Sequence, residues 1–127
     1  MTKKNIAIIS IGSNIDAEKN IARMLKILGN EVKIQMISTL KKTKPIGIEN
    51  QPVFTNGALK AQTEMNREEL TRLLKTIEDE LGRDRSAPKF GPRTMDLDIV
   101  IWNDKIVDED YYSRDFLQKS VDEVRSH

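Results

Sequence analysis

Hydrophobic and polar positions follow two spacings along the chain, one typical of strands and the other typical of helices. A β-branched run from Asn5 to Ile11 ends at the turn-forming residues 12–14, which predicts a first strand. A helix is predicted next, with an N-cap at Asp16 and a stop at Gly29, because apolar residues recur between them at intervals of three and four.

The rest of the chain repeats these two patterns. Alternation predicts strands over residues 31–42, 53–63 and 95–102, with a short extra strand at 106–107. Asn66 and Glu69 have the spacing of a capping box, and the apolar helical face that follows them ends at Gly82. Ser113 is the predicted cap of a last helix.

The order of these elements predicts the fold class. It is β-α-β-β-α-β followed by a C-terminal helix, which is the order of an α+β, ferredoxin-like sandwich with helices on one face of a mainly antiparallel sheet. Isoleucine and valine together outnumber leucine, and β-branched residues favour a sheet. The chain contains no linker, repeat or low-complexity segment, so residues 1–127 are expected to form a single domain.

Composition removes several classes of function. The chain has 127 residues with 21 basic and 20 acidic side chains, and this balance argues against a nucleic-acid or membrane partner. No apolar stretch approaches the roughly 20 residues of a membrane span. Cysteine is absent and the single histidine is His127, which excludes thiol catalysis and a Ser-His-Asp triad. The N-terminal apolar run lacks a signal-peptide cleavage pattern, so a cytoplasmic location is expected.

Two aspartates interrupt the hydrophobic strand 95–102. Alternation puts Asp96 and Asp98 on one face of this strand, whereas Met95, Leu97, Ile99 and Ile101 would face the other. Neighbouring carboxylates repel each other unless a cation or a proton lies between them, and magnesium prefers such oxygen ligands. The alternative is a solvated strand face, which an isolated Asp-x-Asp pattern favours.

The segment before this strand is basic. It carries four cations against one acidic residue: Arg83, Arg85, Lys89 and Arg93 against Asp84. Cations beside a carboxylate pair suit phosphoryl transfer, because they offset charge on phosphate oxygens. We expect these cations to lack nearby partners until phosphates bind, so that residues 83–94 become ordered only with both substrates. On the residues alone, an exposed or RNA-binding basic loop is equally compatible, although the chain has too few aromatic residues for a typical base-stacking sheet.

Residues 90–99, Phe-Gly-Pro-Arg-Thr-Met-Asp-Leu-Asp-Ile, closely resemble the signature of the 6-hydroxymethyl-7,8-dihydropterin pyrophosphokinase family of folate biosynthesis. The resemblance covers about residues 5–110, through further motifs at 11–14, 43–47, 51–56 and 78–83. It implies a ferredoxin-like fold, in agreement with the order of elements. It also implies a magnesium-dependent enzyme that transfers pyrophosphate from ATP to the hydroxymethyl oxygen of a reduced pterin and releases AMP.

The resemblance assigns roles to individual positions. Asp96 and Asp98 would hold two magnesium ions, and Arg83 and Arg93 would be the catalytic cations of the loop. The pterin pocket would be formed by Thr43, Lys44, Ile46, Phe54 and Asn56, with Phe54 stacking on the ring and Asn56 binding its edge. The positions matched near the nucleotide are Lys75, Glu78, Arg85, Lys89, Phe90, Ile99 and Arg114, where Phe90 replaces a tryptophan of the family.

The residues by themselves leave other interpretations open. Phe54 is compatible with a core position, Asn56 with a turn, and Thr43 with a strand end. Lys75 and Glu78 have the spacing of an ordinary surface pair on a helix. The alternative function is a non-catalytic or altered-specificity pterin- or nucleotide-binding homologue. The pattern does not determine the oligomeric state, for which a monomer is favoured.

The C-terminal part departs from the family pattern. Residues 110–113 lead directly to Arg114 and Phe116, without the His-Pro loop that normally precedes this Arg-x-Phe motif. The sequence therefore resembles a short form of the family with a reduced C-terminus. We expect its nucleotide binding to be weaker than that of other members, and its pterin binding to be less affected.

Overall fold

A computed structural model of the chain describes residues 3–47, 50–88 and 91–125. Its strands are β1 (Asn5–Ser13), β2 (Lys33–Ile37), β3 (Lys41–Thr43), β4 (Phe54–Thr63), β5 (Asp96–Trp102) and β6 (Lys105–Ile106). Its helices are α1 (Ala17–Gly29), α2 (Arg67–Glu80), α3 (Asp110–Ser113) and α4 (Asp115–Arg125). No helix in the described part of the chain is long and apolar enough to cross a membrane.

The described strands form one sheet with β1 at its centre. The order is β2-β4-β1-β5-β6, β3 pairs with β4 beside β2, and all pairings are antiparallel. β1 therefore lies between β4 and β5, and β2, the strand that follows the α1 crossover, lies beyond β4, as in a ferredoxin-like sheet. The predicted α+β class with a mainly antiparallel sheet is confirmed.

Helices cover both faces of the sheet. α1 and α2 pack on one face through Met24, Leu28 and Leu74, which bury Ile9 and Leu59 beneath them. α4 lies on the opposite face, where its apolar residues form a second cluster with strand residues, comprising Ile8, Ala58, Val100, Ile101, Leu117, Val121 and Val124. The order of elements predicted helices on one face only. The apolar residues of β1 are buried on both faces because α1 and α2 cover one face of the sheet and α4 covers the other.

A bulge changes the faces of β5. Ile8 pairs with Ile101, but the next residue of β1, Ile9, pairs with Ile99, so Val100 is an extra residue in the ladder. The prediction that Ile101 shares a face with Leu97 is therefore wrong, since Ile101 belongs to the α4 cluster. Simple alternation fails beyond Ile99 because the inserted residue reverses which side chains point toward each helical layer.

The predicted strand 31–42 is divided into β2 and β3. Between them, Ser38 binds Ala58 twice: its amide donates to the Ala58 carbonyl, and its hydroxyl accepts from the Ala58 amide, both at 2.8 Å. Glu123 of α4 accepts hydrogen bonds from the amide and hydroxyl of Thr39. A Cβ at Gly57 would lie 2.6 Å from a Leu40 methyl group, so a larger residue at this position would clash with the segment between β2 and β3.

The helix termini agree with the sequence in part. The capping box of Asn66 and Glu69 is confirmed, with both reciprocal hydrogen bonds present. Asp16 precedes α1 as predicted but has a left-handed backbone (φ 43°) and makes no side-chain cap. The predicted cap at Ser113 is wrong, because Ser113 is the last residue of α3 and α4 begins at Asp115.

Candidate active site

The end of β1 brings two groups of predicted site residues to either side of one glycine. Gly12 pairs with Asn56 of β4 on one side and with Asp96 of β5 on the other. A Cβ at Gly12 would lie 3.0 Å from Asn56 Oδ1 and 3.9 Å from Asp96 Cβ. The sheet therefore places the predicted pterin and metal residues on the two strands that flank β1, and glycine keeps the space between them clear.

A cavity of about 240 Å³ opens beside this strand end, and we call it the first hollow. All five residues predicted for the pterin pocket line it: Thr43, Lys44, Ile46, Phe54 and Asn56. The Asn56 side-chain amide donates to the Thr43 hydroxyl, so these two polar groups are oriented together. Phe54 is partly exposed and contributes to the wall of the hollow, which argues against the interpretation that it is only a core residue.

A second hollow of about 240 Å³ lies on the α2 side. Lys75, Glu78, Arg85 and Ile99, four of the residues predicted near the nucleotide, line it together with Arg83. The two hollows share Arg93, Asp96 and Asp98. Arg114 lines the first hollow, apart from the other predicted nucleotide residues. The predicted residues Lys89 and Phe90 lie outside the described residues.

Asp98 has an electrostatic environment that opposes its charge. Although the residue is exposed to the cleft, surrounding protein atoms partly desolvate its carboxylate, which disfavours the charged form. The negative charges of Asp96 and Asp108 repel this carboxylate as well. These effects, with burial the largest, raise the pKa of Asp98 to about 7. Within the described ranges, no group of three or more acidic, histidine or cysteine side chains is arranged to hold a metal ion. Any cation at the aspartate pair would therefore need other oxygen ligands as well.

The arginines of the basic segment are already paired. Arg83 Nη1 lies 2.9 Å from Glu78 Oε1 and 3.2 Å from Asp96 Oδ1, and Arg93 Nη1 lies 3.3 Å from Asp96 Oδ2. Arg85 contacts Glu78 at 3.1 Å and Asp79 at 2.9 Å. The expectation that the basic segment's cations lack partners without phosphate is therefore wrong for the three arginines, while Lys89 lies outside the described residues. The folded chain brings α2 and β5 carboxylates to them, which spacing within the loop could not indicate.

Glu78 is the buried centre of this network. Its side chain is 4% exposed, and its second oxygen, Oε2, accepts a 2.7 Å hydrogen bond from the amide of Leu97. Glu78 is therefore not the surface partner of Lys75 that its helical spacing allows. The Lys75 carbonyl instead accepts from Arg85. This arrangement links the end of α2, the start of the basic segment and β5.

The first hollow also contains acidic residues that the sequence interpretation missed. Asp108 and Asp110 line it, and Asp108 accepts a hydrogen bond from the Asp110 amide at 3.0 Å. The only sequence feature that could have indicated these two residues is the acidic run 108–110 after β6. It carried no spacing typical of a known site, and only the fold brings it opposite Asp98.

These features define a class of protein. It is an antiparallel α+β domain in which a carboxylate pair is flanked by arginines, and such groups suit the binding of hard cations and phosphate. Residues 8–126 match the family described as 7,8-dihydro-6-hydroxymethylpterin-pyrophosphokinase. The chain belongs to this family, which confirms the resemblance found in the sequence.

Individual relatives agree with this membership. The chain is 41% identical to a 2-amino-4-hydroxy-6-hydroxymethyldihydropteridine pyrophosphokinase of Bacillus subtilis over 78% of this chain and 60% of the relative. Relatives of the same name in Aquifex aeolicus and Haemophilus influenzae are 36% and 30% identical, over 78% and 94% of this chain and 62% and 81% of the relatives. The chain thus spans about three fifths of the Bacillus and Aquifex proteins.

Proposed function

We propose that this chain transfers pyrophosphate from ATP to the hydroxymethyl group of 6-hydroxymethyl-7,8-dihydropterin, a step of folate biosynthesis. The pterin hydroxyl oxygen would form a bond to the β-phosphorus and lose its proton, while the bond from that phosphorus to the α-phosphate oxygen breaks and AMP leaves. The observation that carries this proposal is the position of Asp96 and Asp98 where the two hollows meet. Residues 1–127 are proposed to act as one domain.

The first hollow suits a flat, polar heterocycle. Asn56 offers an amide to the edge of a ring, and Phe54 offers an aromatic face for stacking. The hydrogen bond between Asn56 and Thr43 holds the amide in one orientation, which favours a ligand with matching donors and acceptors. The proposed pterin side of the site therefore combines one stacking surface with one oriented polar edge.

The aspartate pair suits magnesium. Asp96 and Asp98 project from the same face of β5. The pKa of Asp98 is raised first by burial and then by repulsion from Asp96 and Asp108, and a divalent cation beside the carboxylate would offset both effects. Magnesium is commonly bound by one or two carboxylates and completes its coordination with water and substrate phosphates. Magnesium, when bound, would neutralise phosphate charge, and we propose that two ions bind with ATP.

The arginines would change partners when the nucleotide binds. Arg83 and Arg93 contact Asp96, one of the proposed metal ligands, so occupation of Asp96 by a cation would weaken both ion pairs. Phosphate oxygens offer an arginine the same bidentate acceptor geometry as a carboxylate. Both guanidinium groups would then stabilise the negative charge that spreads over the transferred phosphoryl oxygens.

The direct test is detection of AMP after mixing the protein with ATP, magnesium and the reduced hydroxymethylpterin. We expect AMP and pterin diphosphate in equal amounts, and a loss of at least two orders of magnitude in turnover for Asp96→Asn. Asp104→Asn is the matched control, because Asp104 lies in the exposed turn after β5 and should retain full turnover. Binding of both ligands without AMP release would instead support the non-catalytic alternative. Failure to bind either ligand would refute the proposal.

A further inference from the structure

Helix α4 forms one wall of the first hollow and extends beyond it. Phe116, Leu117 and Ser120 line the hollow from this helix, and Thr43 lines it from β3. Glu123 follows Phe116 by seven residues and Ser120 by three, so these three side chains lie along the same side of α4. Seven residues of helix span about 10 Å, which places Glu123 on a rigid extension of the wall.

Glu123 connects this wall to the chain that enters β3. Its Oε1 accepts hydrogen bonds from the Thr39 amide at 3.0 Å and from the Thr39 hydroxyl at 2.8 Å. The preceding residue, Ser38, is joined to Ala58 of β4 by two hydrogen bonds of 2.8 Å. Thr39 lies two residues before β3 begins at Lys41, so the path of the chain into β3 depends on contacts with both β4 and α4.

We propose that Glu123 is a positioning residue for the pterin site, because it holds α4 and β3 at a fixed separation across the first hollow. This inference rests on the proposed function, which takes the ligand of the first hollow to be a pterin. Glu123 itself lines neither hollow. It would therefore act on pterin binding only through the two walls that it connects.

Strand β3 has few other contacts that could fix its position. It comprises three residues, Lys41–Thr43, and in the described part of the chain it pairs with β4 alone. Lys41 and Lys42 are exposed, so this short strand contributes no apolar side chain to the core. Its last residue, Thr43, accepts the hydrogen bond from the Asn56 amide that orients the polar edge of the hollow. A shift of β3 would move the Thr43 hydroxyl and release that amide.

Apolar packing alone does not fix the position of α4 along the sheet. Leu117, Val121 and Val124 bury the helix against the strands, but apolar contacts are not directional. The two hydrogen bonds from Thr39 to one carboxylate oxygen are directional, and the charge of that oxygen makes them stronger than neutral ones. They favour one position of α4, and with it one position of the wall that lines the hollow.

The test measures pterin and nucleotide binding separately by calorimetry. The affinity for 6-hydroxymethyl-7,8-dihydropterin is measured at saturating magnesium and an ATP analogue whose α–β bridge is a methylene group, and the affinity for the analogue is measured without pterin. Glu123→Ala should raise the pterin Kd about tenfold, roughly the net contribution of one hydrogen bond, and leave analogue affinity within about twofold. In the full reaction, the KM for the pterin should rise while kcat stays within about twofold.

Glu123→Gln is the conservative variant that should restore binding. An amide oxygen has two lone pairs and can accept both hydrogen bonds from Thr39. We therefore expect the pterin Kd of Glu123→Gln to lie within about twofold of the wild-type value. A tenfold loss in this variant as well would show that the charge of Glu123, rather than its contact with Thr39, affects the pterin, and would overturn the proposal.

Thr39→Val examines the same contact from its other end. Valine removes the hydroxyl donor but keeps the branched shape and the backbone amide, so pterin affinity should fall about threefold. In the Glu123→Ala background the same substitution should have no further effect, because the acceptor is already absent. Equal effects in the two backgrounds would show that the two residues act independently and would contradict the proposal.

Asn66→Ala is the matched control for a general loss of stability. Asn66 caps α2, which packs on the opposite face of the sheet. This variant should lose stability but keep the wild-type pterin affinity and KM. If Glu123→Ala does not fold, Thr39→Val decides the question, because wild-type pterin affinity in that variant overturns the proposal.

Hydrogen exchange in the ligand-free protein provides a measurement that needs neither ligand. Glu123→Ala should speed exchange of the amides within residues 39–43, whereas Glu123→Gln and Asn66→Ala should leave it unchanged. Unaltered exchange or wild-type pterin affinity in Glu123→Ala would overturn the role of Glu123 while leaving the proposed function intact. Absence of pterin binding to the wild-type protein would overturn the proposed function, and the role of Glu123 in pterin binding with it.

Discussion

Replacing Glu78 by glutamine would remove the charge at the centre of a buried network while nearly preserving side-chain volume. In the wild-type protein, Oε1 receives Arg83 and Arg85, and Oε2 receives the Leu97 amide. A glutamine has one acceptor oxygen and one donor group in place of these two oxygens. In either orientation of the glutamine, its NH₂ group would face another hydrogen-bond donor, which is the Leu97 amide in one orientation and the Arg83 and Arg85 guanidinium groups in the other.

The size of the loss follows from the burial of each contact. A hydrogen bond to a charged group contributes about 1.5–3 kcal/mol, and an unsatisfied buried amide costs about 1–3 kcal/mol. Arg83 is 16% exposed and keeps Asp96, whereas Arg85 is 44% exposed, so its pair with Glu78 adds only about 0–1 kcal/mol. We therefore expect Glu78→Gln to lower the free energy of unfolding by about 3 kcal/mol, below the upper range for breaking a fully buried pair.

Urea denaturation followed by circular dichroism measures this change. The control is Asp79→Asn, because Asp79 contacts the same Arg85 but its side chain is 60% exposed, and its loss should cost at most about 0.5 kcal/mol. The dependence on urea should keep the same slope in all three proteins. A loss below about 1 kcal/mol for Glu78→Gln, or one equal to that of Asp79→Asn, would refute the view that burial determines the strength of this network.

Three further predictions address separate features of the chain. Because the pKa of Asp98 is raised to about 7, ionisation of this carboxyl group destabilises the fold increasingly as the pH rises from about 4 to 7. In EDTA, Asp98→Asn should therefore be more stable than the wild type by an amount that grows across this range, with no gain below pH 4. A gain that does not vary with pH would contradict this prediction. Asn66→Ala should cost about 1 kcal/mol through loss of the α2 capping box, as measured by thermal unfolding, and an unchanged midpoint would argue against it. Gly12→Ala should lower pterin affinity about tenfold, because its methyl group would press on Asn56 Oδ1 at 3.0 Å; calorimetry showing wild-type affinity would count against that contact.

Local patterns in the sequence were sufficient for the order of the main elements and for the family, but not for the division of residues 31–42 into β2 and β3 or for the short helix α3. Periodicity depends on which faces of a segment are apolar, and it predicted the central strand, the two crossover helices and the capping box of Asn66 and Glu69. The motif around Asp96 and Asp98 identified the family because its residue types follow one another along a single strand. The residues assigned to the pterin pocket line one hollow, although their roles remain predictions.

Local patterns failed where a contact joins residues that are distant in the chain. The partners of Arg83 and Arg93, the bulge at Val100 and the position of α4 on the second face were not predicted from the sequence. Neither were the hydrogen bonds of the Asn14 side chain with Gln51 and with the Arg93 amide, which lie 37 and 79 positions away.

Features predicted from the sequence differ from those seen only in the structure for a physical reason. An amphipathic pattern favours burial of one face but does not specify what covers it, because hydrophobic burial is not directional. Ion pairs, hydrogen bonds and pKa values depend on distances of a few ångströms through space. The sequence by itself determined the main elements, their order and the family. The tertiary structure decided which carboxylates contact the arginines, how far the pKa of Asp98 is raised, and that Asn14 joins residues on both sides of the site.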